Sequence, residues 1–526
     1  MSEMRRYPIG VQRFAWVRER DLVYVDKTRY VWDMASGGVK YYFLSRPRRF
    51  GKTMLVSTLE AYFQGRRELF EGLALGELER EWTVHPVIRL DLSSVKATDE
   101  EGLHLALDMA LSRCERPYGV EGGGTAYGPR LERLIRAARE QAGEDAVVLV
   151  DEYDAPLLTV LHDDATLRRF REVMRDLYSP LKACEDLLRF VFLTGITKFS
   201  QLSIFSELNN LNNVSMDVDY AAVCGITEDE LACYLASDVE RLADSMGMSP
   251  EEVTGALRDR YDGYRFTRSP VSVYNPFSLV QALAKRDLGN YWFGSGTPTS
   301  LVRLISSGRV SVPSLEGTRA TAATFDAPTE ASATPVAFLY QSGYLTIKDY
   351  EPVTGTYTLA IPNREVSEGL YRALLPAYAP VGDVERDTFL DSFIRAFFLD
   401  DDADSALRQL RSFLASIPYE LSNKSERDVQ TVLFIVFKLV GARIACEVRT
   451  ATGRIDATVR SRTTLYVIEL KYGRSAAEAV AQIDDRGYLI PWEAEAGRGD
   501  LRVVKVGASF DPDQRTLDEG WIVEEV

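Results

Sequence analysis

The sequence predicts a mixed α/β protein with two separate α/β regions and a largely helical region between them. Up to about residue 235, short apolar runs alternate with segments of helical spacing, such as residues 53–63 and 167–182. Such alternation is typical of a parallel sheet that is covered by helices on both faces. In the last hundred residues, a helix precedes three consecutive strands, a second helix and a further strand. The apolar runs that we assign to buried strands of the first region lie at residues 41–44, 86–92, 146–150 and 189–193.

The middle of the chain is expected to be helical and to end in a helix followed by a hairpin. We place the hairpin strands at residues 344–347 and 356–359, an arrangement that is compatible with a winged-helix module. Residues 318–334 are rich in Ala and Thr and are expected to form a long loop. The predicted domain limits are 1–235 for the first α/β domain, 236–390 for the helical and winged-helix-like region, 391–419 for a helical connector and 420–526 for the second α/β domain.

Composition and charge exclude several classes of protein. The chain carries 62 Lys and Arg against 78 Asp and Glu, a net charge of −16, so it is not expected to coat nucleic acid indiscriminately. Its five cysteines form no CxxC pair, which argues against a disulfide framework and fits a reduced, cytoplasmic compartment. The N-terminus lacks the apolar core of a signal peptide, and no apolar stretch is long enough to span a bilayer, so no membrane partner is expected.

A candidate phosphate-binding loop follows the first predicted strand. Residues 45–53, SRPRRFGKT, end in the Gly-Lys-[Ser/Thr] of a P-loop, where backbone N–H groups at a helix N-terminus face phosphate oxygens. We expect Lys52 to reach the β- and γ-phosphates of ATP and Thr53 to offer its hydroxyl to Mg²⁺, while Gly51 lets the backbone approach closely. The usual pattern has glycine where Arg46 stands, so an ordinary turn is the alternative. The predicted nucleotide-binding residues of the loop are Arg49, Phe50, Gly51, Lys52 and Thr53.

A second motif of the same chemistry lies at residues 147–152, an apolar strand that ends in Asp151 and Glu152. In this Walker B form, we expect Asp151 to hold Mg²⁺ through water and Glu152 to polarise the attacking water. A strand that ends in acids at a solvated edge is the alternative, but two motifs in this order favour ATP binding. Thr194, at the tip of the next strand, is a candidate sensor of the γ-phosphate; a capping threonine is an equal alternative.

Five phrases of the sequence are specific when taken together. They are YVDKT at 24–28, RPRRFGKT at 46–53, DEYDAP at 151–156, FSELNNL at 205–211 and YDGY at 261–264. With them the chain resembles, over nearly its whole length, a bacterial and archaeal family that joins an AAA-ATPase-like domain to a PD-(D/E)XK nuclease superfamily domain. The resemblance implies a P-loop NTPase core and a restriction-endonuclease-like C-terminal domain, and it implies no particular substrate. Because the loop of that family typically has RPRRFGK[ST], the arginine at position 46 is normal for it.

Two groups of charged residues have no single interpretation. By resemblance, residues 26–28 (DKT) pack near the nucleotide base or its phosphates, but a purely structural N-terminal strand is an equal alternative. The arginines at 46, 48 and 49 could contact phosphate, the nucleotide of a neighbouring subunit or a carboxylate of the fold.

The C-terminal region holds a second constellation. Asp456 lies on a predicted strand, and thirteen residues later Glu469 and Lys471 end the apolar strand 465–470. Residues two apart on a strand face the same side, so Glu469 and Lys471 project together. If the strands pair, Asp456 sits beside Glu469, and these carboxylates suit Mg²⁺ or Mn²⁺. Lys471 would then orient a water or stabilise developing negative charge. Taken alone, this spacing is a frequent accident of a charged strand edge.

The family resemblance extends this constellation. Asp456, Glu469 and Lys471 match the core of the PD-(D/E)XK pattern residue by residue, although Ile455 stands where proline is often found. The looser flanking positions of the pattern correspond to Glu426 on the preceding helix and Gln482 on the following helix. The predicted catalytic residues of this site are therefore Glu426, Asp456, Glu469, Lys471 and Gln482, and its predicted metal ligands are Asp456 and Glu469.

These features predict an enzyme, an ATP-binding and ATP-hydrolysing module coupled to a Mg²⁺-dependent nucleic-acid phosphodiester hydrolase. Residues 420–475 carry ten basic and six acidic residues, which favours attraction to phosphate on an otherwise acidic chain. DNA is the expected substrate, and RNA fits the same chemistry. The alternative is an ATP-switched scaffold whose nuclease-like domain binds a partner and is catalytically inactive. The sequence does not determine the oligomeric state.

Overall fold

The computed structural model divides the chain into two compact units. One comprises Met1–Trp292 with Gly317–Asn363, and the other Phe293–Glu316 with Arg364–Val526. The domain limits given above remain predictions. The structure describes residues 5–161, 163–198, 211–293, 299–306, 311–325, 335–418, 426–441, 445–451, 454–461, 463–489 and 501–526. Outside this description lie residues 205–210 of the FSELNNL phrase and the side chains of residues 299–300, 304, 426–427, 445–451 and 454–456.

The first unit is built on a five-stranded parallel sheet, as the sequence predicts. The strand order β2-β3-β4-β1-β5 places one strand, β4, between the strand before the phosphate loop and the strand that ends in Asp151. Strand β3 is buried along its whole length, which is typical of a strand covered on both faces. The strands are β1 (Tyr41–Ser45), β2 (Val87–Asp91), β3 (Ala146–Asp151), β4 (Leu188–Gly195) and β5 (Asn212–Asn213).

Helices pack on both faces of this sheet. On one face, alternate strand residues form an apolar core with α5, α6 and α8. On the other face lies α3, where the rings of Phe63 and Phe190 are 5.0 Å apart. The α-helices described between residues 14 and 285 are α1 (Phe14–Glu19), α2 (Thr28–Ser36), α3 (Lys52–Phe63), α4 (Ala74–Leu78), α5 (Glu100–Glu115), α6 (Tyr127–Ala142), α7 (Ala155–Thr159), α8 (Asp164–Tyr178), α9 (Pro180–Ala183), α10 (Glu228–Tyr234), α11 (Ala236–Met246), α12 (Pro250–Tyr261) and α13 (Pro276–Lys285).

The expected hairpin and one further strand form a small three-stranded sheet of order β6-β8-β7. The expected helix precedes the hairpin in the chain. The expectation of a long loop at 318–334 is wrong in its first half, because β6 pairs with β8 and a helical turn follows; residues 326–334 lie outside the described part. The elements of this stretch are α14 (Thr299–Leu304), β6 (Thr318–Ala320), α15 (Ala322–Phe325), α16 (Pro335–Gln341), β7 (Thr346–Glu351) and β8 (Thr356–Ala360).

The second unit contains a mixed six-stranded sheet of order β13-β12-β11-β10-β9, with β14 also paired to β12. Strands β9, β10 and β11 are antiparallel, and β11 and β12 are parallel. The elements are α17 (Arg364–Tyr378), α18 (Asp383–Phe398), α19 (Ala403–Ser416), α20 (Glu426–Gly441), β9 (Ala445–Ala451), β10 (Arg454–Arg460), β11 (Thr464–Tyr472), α21 (Ala476–Asp485), β12 (Arg502–Asp511), β13 (Thr516–Leu517) and β14 (Ile522–Glu525). The predicted α/β class is confirmed, and the mixed C-terminal sheet is consistent with the expected nuclease-like domain.

Across the described part of the chain, every helix is too short or too polar to cross a membrane.

Candidate functional site

The loop between β1 and α3 has the backbone conformation of a tight turn onto a helix N-terminus. Gly51 precedes the first helical residue with φ +95°, a value that favours glycine, and an added Cβ there would meet no atom within 4 Å. Glycine is therefore required by the backbone angle and not by a lack of space. Arg49 also has a positive φ of 63°.

Lys52 lies buried at the centre of this loop. Its ammonium donates to the carbonyls of Arg46 (3.1 Å) and Pro47 (3.2 Å) and lies 3.3 Å from a carboxylate oxygen of Glu152. The side chain is 3% exposed. The sequence-predicted cation of the phosphate loop and the acid of the Walker B strand are thus in contact.

Asp151 ends β3 with its side chain 1% exposed. Within the described residues, its Oδ1 atom has no hydrogen-bond partner. Burial and the neighbouring Glu152 raise the pKa of Asp151 to about 6, although a hydrogen bond with Thr53 and the charge of Lys52 oppose the rise. An open buried carboxylate oxygen beside a threonine hydroxyl fits the oxygen ligands that Mg²⁺ prefers. These residues therefore fit the metal of a nucleotide site.

We expect Asp151→Asn to stabilise the metal-free protein at neutral pH. Since the folded-state pKa of about 6 lies above the ordinary 3.8, the folded chain binds the proton of Asp151 more tightly than the unfolded chain does. Above pH 6 the charged carboxylate therefore lowers the stability of the folded state. The free energy of unfolding of the variant should exceed that of wild type by on the order of 3 kcal/mol above pH 6, taken as an upper bound. The difference shrinks as the pH falls toward 4. Thermal unfolding in EDTA between pH 5 and pH 8 measures the difference; a gain that grows toward acid would contradict it.

Thr194 is fully buried, and its hydroxyl donates to the carbonyl of Leu44 on the neighbouring strand (2.7 Å). This contact ties β4 to β1, which is a structural role but not the capping role that the sequence left as the alternative. Its role as a γ-phosphate sensor stays a prediction.

Asp154, which sequence reasoning did not single out, holds the backbone after β4. Its buried carboxylate accepts from the amides of Ile196 (3.0 Å) and Thr197 (2.7 Å) and from the Thr197 hydroxyl (2.7 Å). A Cβ on Gly195 would lie 2.3 Å from its Oδ1 atom, so the strand can pass only as glycine. Burial, followed by the charge of Glu152, raises the pKa of Asp154 to about 6. The DEYDAP phrase was the only available signal of this role.

Two residues of the loop, the aromatic Phe50 and the basic Arg49, contact distant parts of the same chain. Phe50 is buried edge-on against Tyr264 of the YDGY phrase, with ring centroids 4.7 Å apart. The Arg49 guanidinium lies 4.0 Å from the ring centre of Phe277. Two phrases that are far apart in the sequence therefore meet at the phosphate loop, and a direct contact of Arg49 or Phe50 with nucleotide stays a prediction.

The DKT segment makes structural contacts. Asp26 accepts from the Ala74 amide (2.8 Å), and the Thr28 hydroxyl accepts from the Leu75 amide (3.0 Å) at the start of α4. Lys27 pairs with Glu230 at 2.6 Å. These contacts are structural, but the expected strand is wrong, because residues 23–27 are irregular and α2 begins at Thr28.

In the second unit, three of the predicted catalytic residues lie on the paired strands β10 and β11. Asp456 lies directly opposite Glu469 in the antiparallel register. Glu469 is fully buried, and its carboxylate accepts from the Lys471 ammonium at 2.7 Å. The same ammonium donates to the Gln482 side-chain carbonyl. The side chains of Asp456 and Glu426 lie outside the described residues, so their contacts stay predictions.

Close packing of α21 on the sheet explains how Gln482 reaches Lys471. The helix crosses β12 at Gly507, where a Cβ would lie 2.6 Å from the carbonyl oxygen of Ala476. Gly507 is the register partner of Glu469, so the helix approaches directly beside that carboxylate. A carboxylate, an ammonium and an amide thereby share one face of the sheet. With Asp456 in register, the donor set fits a hard divalent cation.

Comparison with known proteins agrees with this architecture. A family model described as predicted AAA-ATPase matches residues 8–205, and one of the PD-(D/E)XK nuclease superfamily matches residues 424–520. A protein of Azotobacter chroococcum mcd 1, described as "Uncharacterized protein in vnfD 5'region", is 35% identical over 532 residues, covering 99% of both chains. The chain therefore belongs to the family that joins an AAA-ATPase-like domain to a PD-(D/E)XK nuclease superfamily domain.

Proposed function

We propose that this chain binds and hydrolyses ATP and that its C-terminal domain cleaves nucleic-acid phosphodiester bonds with Mg²⁺. The observation that carries the proposal is the contact of Lys471 with both Glu469 and Gln482. The strand register also sets Asp456 opposite Glu469. Three elements, β10, β11 and α21, converge to build this group. An isolated charged strand edge, the accidental alternative, needs no such convergence.

The chemistry of the nuclease site follows from these side chains. Asp456 and Glu469 would hold Mg²⁺ or Mn²⁺, with Glu426 as a further acid, and the bound metal supplies an activated water and neutralises phosphate charge. Lys471 orients the attacking water or stabilises the negative charge of the transition state. Gln482 holds the Lys471 ammonium in place.

The ATP site uses a different set of groups. Lys52, which now donates to two loop carbonyls, would donate to phosphate oxygens instead, and Thr53 and Asp151 would provide oxygen ligands for Mg²⁺. Glu152, which the Lys52 ammonium now contacts, would polarise the attacking water. ATP binding or hydrolysis regulates the nuclease in this proposal, by shifting the ATPase between two states.

The expected substrate is DNA, because the stretch 420–475 is basic on an acidic chain, and RNA fits the same contacts. A cytoplasmic location is part of the proposal, since the five cysteines form no CxxC pair and fit a reduced compartment.

A cleavage assay tests the proposal. Purified wild type and Asp456→Ala are incubated with single- and double-stranded DNA and RNA, with Mg²⁺ or Mn²⁺, and with or without ATP. We expect metal-dependent products from wild type that Asp456→Ala lacks. Asp513→Ala, which removes an exposed acid of the same domain, is the matched control and should cleave normally. A wild type that cleaves none of these substrates would instead support the ATP-switched scaffold.

A further inference from the structure

Trp292, the last residue of the main segment of the first unit, contacts the phosphate loop. Its indole N–H donates at 3.0 Å to the carbonyl of Arg48, in the middle of the loop, and its ring centre lies 5.3 Å from that of Tyr344. Packing around the loop is close, because a Cβ on Gly343 would lie 2.8 Å from the Cβ atom of Pro47. Trp292 is itself buried, so its hydrogen bond fixes one backbone group of the loop from within the fold.

The next residue in the chain, Phe293, belongs to the second unit and packs there. Its ring lies against the backbone of α17, where a Cβ on Gly369 would be 2.1 Å from the Phe293 Cγ atom. The same helix packs on α20, the helix on which Glu426 lies, with the rings of Tyr371 and Phe434 5.8 Å apart. Phe293 is therefore anchored on a helix that contacts the first helix of the nuclease-like domain.

Two consecutive residues thus have separate anchors, one on the phosphate loop and one on α17. A single planar peptide group joins them, and neither anchor has spare volume that could absorb a displacement. We propose that the Trp292–Phe293 pair couples nucleotide binding at the phosphate loop to the packing of α17 and, through it, to the nuclease-like domain. This rests on the ATP site proposed above and specifies the route by which that site regulates cleavage.

Thermodynamic linkage makes the proposal testable without a cleavage assay, because coupling between two sites is reciprocal. If a nucleotide on the loop alters the packing of Phe293, a change in that packing must alter the affinity for the nucleotide. A purely structural role of the pair has the opposite consequence. A substitution on α17, outside the unit that holds the phosphate loop, would then leave ATP binding unchanged.

Gly369→Ala places a methyl group where the Phe293 ring now lies. The displaced ring should withdraw the neighbouring Trp292 from the Arg48 carbonyl, and the loop loses part of its preorganisation. We expect the affinity for ATP to fall roughly three- to tenfold, the worth of one hydrogen bond, in calorimetry on the full chain.

Gly255→Ala is the matched control for Gly369→Ala. It also replaces a glycine within a helix, on α12, but an added Cβ there meets no atom within 4 Å. Its affinity for ATP should equal that of wild type. A folded Gly369→Ala protein that binds ATP as tightly as Gly255→Ala would overturn the proposal.

Trp292→Phe tests the other end of the pair. It removes the indole N–H, keeps an aromatic ring beside Tyr344 and should weaken ATP binding by the same factor. Combined with Gly369→Ala it should weaken binding no further, because both changes act on one hydrogen bond; additive effects would contradict the coupling. Trp82→Phe is the control: the Trp82 indole nitrogen has no partner in the described part of the chain, so ATP affinity should not change.

Hydrogen exchange of wild type needs no variant that could misfold. Added ATP should slow amide exchange in peptides of the phosphate loop and also in peptides of α17, residues 364–378. Slower exchange in the loop with unchanged exchange in α17 would overturn the coupling. Failure of the ATP site looks different, because the exchange of the loop itself would then not respond to ATP.

Discussion

Lys471→Met is expected to lower metal-dependent cleavage about 100- to 1000-fold, the usual effect of removing one preorganised group that stabilises transition-state charge. In the folded chain the Lys471 ammonium is 7% exposed and contacts Glu469 and Gln482 at once. Methionine keeps the length of the side chain and removes its charge. Single-turnover cleavage rates at saturating metal measure the loss.

The same change has a separable effect on stability. Glu469 is fully buried, so removal of the ammonium that it contacts should destabilise the domain by about 3 kcal/mol or more. Adding Glu469→Gln to Lys471→Met removes the buried charge and should recover most of that loss, while cleavage stays absent. Thermal unfolding of the four proteins of this double-mutant cycle gives the coupling energy of the pair.

Lys505→Met is the matched control for both effects. Lys505 lies on the adjacent strand β12 and pairs with half-exposed acids, Asp484 at 3.1 Å and Glu524 at 3.4 Å. Such surface pairs contribute about 1 kcal/mol or less, so this variant should fold and cleave like wild type. Equal cleavage by wild type and Lys471→Met would remove Lys471 from the proposed mechanism.

Local spacing in the sequence was sufficient to place Lys52, Glu469 and Lys471 on the elements where the structure has them. Lys52 follows a glycine in the loop after a buried strand, and Glu469 and Lys471 are two apart on one strand, so their placement follows from the helix N-terminus and the strand period alone. Predicting that β10 pairs with β11 then required only the assumption that consecutive strands form a hairpin. The register that sets Asp456 opposite Glu469 agrees with that step.

Features that depend on distant partners were not predictable in this way. Strand β12 runs through to Asp511 although Gly507 and Ala508 are weak strand formers, because both residues pair with β11. Likewise, β6 lies in an Ala- and Thr-rich stretch and exists because β8 pairs with it. The hydrogen bonds of Asp154 with the backbone after β4 link residues that are more than forty positions apart in the sequence.

Lys52→Ala is expected to abolish nucleotide binding, and Glu152→Gln to keep binding while slowing hydrolysis about 100-fold or more. The two residues form an ion pair at 3.3 Å, but their proposed roles differ. Without Lys52 the loop lacks the ammonium that is proposed to reach the phosphates, whereas glutamine at 152 retains the shape of the side chain and loses only its basicity. Calorimetry with ATP measures the first effect, and phosphate release measures the second.

Lys40→Ala separates the role of Lys52 from a general loss of positive charge. Lys40 precedes β1 in the same unit, is partly exposed and donates to the Glu185 carbonyl at 3.0 Å. It should therefore bind and hydrolyse ATP like wild type. If Lys52→Ala bound ATP as tightly as Lys40→Ala, the buried ammonium would be a structural brace of the loop, because its carbonyl contacts to Arg46 and Pro47 would then account for it fully.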